Sequence, residues 1–167
     1  GDVYKRQKED LLMESIGMLV DNLVEQMIRL PLVDWSLESV VEGEAPRPAI
    51  ALPFQHIAEN ADLYRIILRG DGTHSVKRRL HEITAHTSRR LIEALDERDK
   101  RNLVPRLPME AFHNYLAGAF LGFVTWWLEA EMPYTPEEMA VMFQNLFVHG
   151  ALGALGAPLP VRGAIVE

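Results

Sequence analysis

From Phe112 to Leu128 the chain runs 17 residues without a formally charged side chain, and this segment limits the fold more than any other. Projected at about 100° per residue, Phe112, Leu116, Ala119, Phe120, Phe123 and Trp127 form one face, and Tyr115, Gly118, Gly122 and Trp126 form a second. Little of such a helix is left for water, so it has to be covered on two sides. Its length reaches the lower end of the roughly 17–25 residues that cross a bilayer. Yet His113, Asn114 and Thr125 lie inside it, and Glu110, Glu129 and Glu131 flank it without the Lys/Arg bias of an inserted helix, so no membrane is expected. Gly118-x-x-x-Gly122 permits close helix approach and carries no information about lipid.

The segment that follows announces its own start. Thr135-Pro-Glu-Glu138 places a hydroxyl at the N-cap, a proline at the first helical position and a glutamate at the third, a capping box. Met139, Met142, Phe143, Leu146, Phe147 and Gly150 then share one face. A doubly covered helix beside a strongly amphipathic one, in a chain of 167 residues, predicts that part of the cover is a second copy of the chain. Two helices from each protomer would form a four-helix interface about a two-fold axis; the plainer alternative is that both belong to one core.

Upstream, Leu12, Ile16, Leu19, Leu23, Met27 and Leu30 recur at helical steps until Pro31 stops them. Residues 31–48 hold Pro31, Gly43, Pro46 and Pro48 with no surviving period, which reads as a connecting loop. Pro53 suits the first turn of a helix, with Phe54, Ile57, Ala58 and Ala61 on one face, and Leu63 to Leu68 continues it or forms a second short helix. Gly70-Asp-Gly72 breaks the run. From Thr73, Val76, Leu80, Ile83, Thr87, Leu91 and Ala94 trace one stripe of a long, otherwise charged helix, expected on the surface with one side buried. Strand alternation and internal repeats are absent from the sequence, so the expected fold is all-α, five or six helices, with a tail over 153–167.

Charge argues against a nucleic-acid surface on this chain. The formal net charge is −7, and between Lys8 and Glu44 only Lys8 and Arg29 oppose nine carboxylates. Lys77 to Arg79, Arg89-Arg90 and Arg98 to Arg101 form one basic stretch, but Glu82, Glu93, Asp96, Glu97 and Asp99 interleave with it, as in a solvated helix face with i,i+4 pairs. Zero cysteines and no cleavable signal make a cytoplasmic location the expectation.

Catalytic chemistry finds no foothold. The six histidines include no HExxH and no pair four residues apart, which argues against a metal site. No serine lies in a G-x-S-x-G context, and Gly70-Asp-Gly72 lacks the lysine and the preceding strand of a phosphate loop, so no cofactor and no enzyme is expected. What remains is apolar volume. Met18, Met27, Tyr64, Tyr115 and the aromatic side chains already named either pack on one another or surround a pocket between helices.

Three segments, in order and spacing, resemble one known family. Lys8-Glu-Asp-Leu-Leu12 looks like the start of the helix that links headpiece to core in TetR-type transcriptional regulators. Phe54-Gln-His-Ile-Ala-Glu-Asn-Ala-Asp-Leu-Tyr-Arg65 is similar to a segment of that family's regulatory core. Trp126-Trp-Leu-Glu129 with Met132-Pro-Tyr-Thr-Pro-Glu-Glu-Met139 is similar to the end of its penultimate helix and the start of its last. The likeness covers about Lys8 to Leu152 and implies a regulatory domain over 8–152 that forms a homodimer and binds a small apolar effector. DNA would be met only through an N-terminal helix-turn-helix that is missing here, with 1–7 an unmatched, non-native flank. Expected ligand-binding residues are Phe54, Leu68, Leu80, Ile83, Phe112, Leu116, Phe120 and Trp127. Expected interface residues are Gly118, Gly122, Trp126, Met139, Met142, Phe143 and Leu146. The rival expectation is a constitutive dimerisation module with a filled core and no small ligand.

Overall fold

A computed structural model describes residues 1–30, 48–68, 74–100, 102–147, 150 and 155–156. The expected loop over 31–47, the Gly70-Asp-Gly72 break and the end of the tail lie outside the described residues. Six α-helices and no strand occur among those described: α1 (Asp2–Ile28), α2 (Pro48–Glu59), α3 (Ala61–Leu68), α4 (His74–Asp99), α5 (Met109–Glu129) and α6 (Pro136–Leu146). The all-α expectation holds.

Helix α1 spans 27 residues, about 40 Å at 1.5 Å per residue, and begins at Asp2, so residues 2–7 continue the same helix as Lys8 to Leu12. Its buried stripe is Met13, Ile16, Val24 and Met27, flanked by the half-buried Leu12, Val20 and Leu23. Leu19, which the spacing assigns to that stripe, is 44% exposed. Both Leu19 and Val20 satisfy a three-or-four step from Ile16, and the packing against α2 and α4 selects Val20.

Helix α2 starts at Pro48, one and a half turns before the expected Pro53. Pro48 takes the first-turn position that suits a proline. Pro53 lies inside the helix, where its ring nitrogen has no proton to give the Ala49 carbonyl. After Asn60 the chain turns into α3, and the Asn60 amide Nδ2 donates to the His56 carbonyl at 2.8 Å, bracing the junction.

Helix α4 is buried on more than the one side expected. It packs against α1 along one flank and α5 along another, with Ala85 and Ser88 buried beside Leu80, Ile92 and Leu95. Its arginines find partners across helices. Arg79 Nη1 lies 2.7 Å from Asp10, Arg90 reaches Asp21 and Glu25 at 3.3 and 3.4 Å, and Arg89 reaches Glu110 at 3.3 Å. Arg98 donates to the Ile28 and Leu30 carbonyls, both at 3.0 Å, supplying the cation that the last turn of α1 lacks. The acidic α1 and the basic α4 answer each other; among the described residues Arg78–Glu82 at 4.0 Å is of the expected i,i+4 kind.

Helices α5 and α6 are joined by a tight turn. Glu131 takes a positive φ of 62° past the end of α5, its N–H bonded to the Leu128 carbonyl and that of Met132 to the Trp127 carbonyl. That is a Schellman arrangement, with glutamate where glycine is usual. The Trp127 indole N–H donates to the Tyr134 carbonyl at 2.9 Å and fastens the turn from inside. Thr135 caps α6 as expected: its hydroxyl accepts from the Glu138 N–H, and the Glu138 carboxylate accepts from the Thr135 N–H.

Candidate functional site

All six helices meet around one cavity of about 130 Å³. Val20, Leu23 and Met27 of α1 wall one side, and Phe54, His56 and Ile57 of α2 with Tyr64 of α3 another. Helix α4 contributes Leu80, Ile83, Thr84, Thr87, Ser88, Leu91 and Ile92. Leu116, Ala117, Phe120 and Leu121 of α5, Phe143 of α6 and Phe147 at its C-terminal cap complete it. Hydrocarbon dominates the wall, and no Asp, Glu, Lys or Arg occurs among the described lining residues.

Phe54 organises the aromatic side of the site. It is buried, and its ring centroid lies 5.4 Å from Phe120, 5.9 Å from Phe143, 6.1 Å from Trp127 and 6.3 Å from Phe123, all in tilted or edge-to-face geometry. The side chain immediately after Pro53 therefore joins α2 to both α5 and α6.

Two hydrogen-bonded pairs supply polarity. His56 Nε2 and the Tyr64 hydroxyl are 2.7 Å apart, and both residues face the cavity. Ser88 Oγ and His113 Nδ1 are 2.8 Å apart, with Ser88 on the wall and His113 buried. Burial lowers the His56 pKa below its usual value, with Glu59 opposing more weakly, and raises that of the Tyr64 phenol. Burial also lowers His113, aided by the nearby Arg89 charge against Glu93 and Glu110. Burial thus favours the neutral forms of His56, Tyr64 and His113. The Thr84 and Thr87 hydroxyls donate to their own helix at the Leu80 and Ile83 carbonyls. Among the described residues no cluster of His, Cys, Asp or Glu could hold a metal ion.

Of the ligand-binding residues expected from sequence, the structure brings Phe54, Leu80, Ile83, Leu116 and Phe120 together on the wall. Phe112 and Trp127 are buried elsewhere in the core, and Leu68 is half-buried at the end of α3. Of the expected interface residues, Gly118, Gly122, Trp126 and Leu146 are exposed, Met142 and Phe143 half-buried, and Met139 wholly enclosed. Phe143 also lines the cavity. Tyr115 at 64% exposed and Trp126 at 47% stand with Gly118, Ala119 and Gly122 on an open apolar face of α5.

Sequence reasoning missed the His56–Tyr64 and Ser88–His113 pairs and the α1 wall of Val20 and Leu23. The first pair bridges a helix junction at a spacing of eight, and the second joins residues 25 apart, so no local period flags either. Met18, expected among pocket-forming side chains, is 68% exposed on α1.

Residues 44–149 match the family model of the TetR type described as the transcriptional regulator C-terminal region. No curated protein and no solved structure matches the chain. Among the described residues, no helix is long and apolar enough to cross a membrane.

Proposed function

The chain belongs to the family of TetR-type transcriptional regulator C-terminal regions, and from that footing we propose that it is the homodimeric, effector-binding part of a cytoplasmic regulator. The cavity carries this reading: a charge-free space walled by every helix is where a small apolar molecule gains most from leaving water. Val20, Leu23 and Met27 make α1 part of the wall, and α1 is the helix whose Lys8 to Leu12 segment resembles the connection to a DNA-reading headpiece. A ligand pressing on α1 biases the spacing of two headpieces across the dimer, provided it binds one arrangement more tightly than the other. The open face of α5, with Gly118 and Gly122 allowing close approach, is the surface on which the second copy docks.

Thermal unfolding in rising concentrations of toluene tests the effector reading. A ligand at a hundred times its Kd stabilises by about 2.7 kcal/mol, roughly 5–10 °C for a chain of this size. A saturable rise of that order is expected. A flat response, to toluene and to its hydroxylated counterpart phenol alike, would instead favour a dimerisation module that takes no small ligand.

A further inference from the structure

The lining of the cavity says what kind of effector it admits, an inference that rests on the effector reading above. Size comes first. A volume of about 130 Å³ is close to the ~150 Å³ of an apolar cavity that admits benzene, so one ring fills it. Phe54, Phe120 and Phe143 pack on one another at 5.4–5.9 Å and together line the cavity, so a ring inside it meets aromatic edges and faces of the kind on which a further ring packs well.

Charge is excluded next. An ionised group would enter a wall with no opposite charge among its described residues and would lose its hydration uncompensated. A groove between α1 and α4 adjoins the cavity through the shared Val20, Ile83 and Thr87. It carries Glu14, Asp21 and Glu82 against Arg79 and His86, and its ion pairs Arg79–Asp10, Arg90–Asp21 and Arg78–Glu82 leave no excess of positive charge to draw an anion in.

The polar handle is the phenol of Tyr64. If it donates to His56 Nε2, its oxygen keeps lone pairs to offer; if His56 donates, the phenol keeps its own proton. A ligand hydroxyl is both donor and acceptor and satisfies either arrangement, whereas a ketone or an ether satisfies only one. We propose that the cavity takes an uncharged single-ring compound bearing a hydroxyl group, its ring among Phe54, Phe120 and Phe143 and its hydroxyl bonded to the Tyr64–His56 pair.

Calorimetric titration of the 167-residue chain at neutral pH with phenol, toluene and benzoate tests this. Phenol is expected to bind at least as tightly as toluene, and benzoate not at all. An unbonded hydroxyl moved into hydrocarbon weakens binding by more than about tenfold, so toluene binding tenfold tighter than phenol overturns the proposal while leaving the effector reading intact. Binding of benzoate overturns it too. If neither toluene nor phenol binds, the effector reading falls with it. Tyr64→Phe should weaken phenol about tenfold and toluene less than twofold, the toluene value showing that the cavity is preserved. Loss of phenol affinity in Ser88→Ala but not in Tyr64→Phe overturns the handle; should Tyr64→Phe not fold, the phenol-to-toluene ratio of the unaltered chain decides.

Discussion

Helices α4 and α5 lie against each other, yet α4 turns its outward side chains into ion pairs while α5 leaves hydrocarbon in the open. Arg79, Arg89 and Arg90 of α4 find carboxylates on α1 and α5. Tyr115, Gly118, Ala119, Gly122 and Trp126 of α5 face outward with no charge among them. A charged helix surrounded by complementary charge is complete within one chain. The open face of α5 carries Tyr115 and Trp126 in water, and the proposed two-fold copy would cover it and supply the same face in return.

The inner side of α5 should prove the most sensitive. Phe54→Ala removes the ring that four aromatic neighbours surround, and a loss of about 3–5 kcal/mol is expected in denaturant unfolding. A loss under about 1 kcal/mol would mean that the aromatic cluster repacks and that the two faces of α5 differ less than argued.

The outer side comes second. A Cβ at Gly122 meets no atom within 4 Å in one chain, so Gly122→Glu should keep the helical content of the monomer. Placed against a second copy, the same side chain buries a charge, and the dimer dissociation constant should rise at least 100-fold, about 3 kcal/mol, by sedimentation. An unchanged dimer would put the interface elsewhere. The sequence made the two apolar faces of this uncharged 17-residue stretch legible, but of the two only the one with Phe112 and Trp127 is covered within the chain, while Tyr115 and Trp126 stand exposed. The Thr135 capping box was equally plain, being set by three residues and their own backbone. Position within a stripe was less so: Leu19 and Val20 were equivalent by spacing, and only the neighbouring helices choose between them.

The half-buried His56 and the buried His113 separate the cavity from the charged surface by pH. His56 and His113 have pKa values lowered on folding, so the unfolded chain binds more protons as pH falls through about 6.5, and stability should drop from pH 7.5 to pH 5.5. Denaturant midpoints at the two values measure this, and a stability that rises toward pH 5.5 contradicts the sign. Neither pair at the cavity was legible in advance, since each is made by tertiary approach and obeys no periodicity.

Least is expected from the α1–α4 seam. Arg90→Ala breaks two pairs whose carboxylates are well exposed, and such pairs are worth about 1 kcal/mol or less. Dimerisation should be unchanged; a monomeric Arg90→Ala would show that the charged seam, rather than the apolar face, joins the copies. The interleaved charges of α4 form the expected solvated i,i+4 face only in part, at Arg78–Glu82; Arg79, Arg89 and Arg90 are half-buried with partners on α1 and α5, which spacing along one helix cannot reveal.

Sedimentation equilibrium of the unaltered chain bears most directly on the claim that α5 is finished by a second copy. Twice the 18.9 kDa of one chain at micromolar concentration is the predicted mass. A stable species of one chain mass, with Trp126 and Tyr115 left in water, would contradict it.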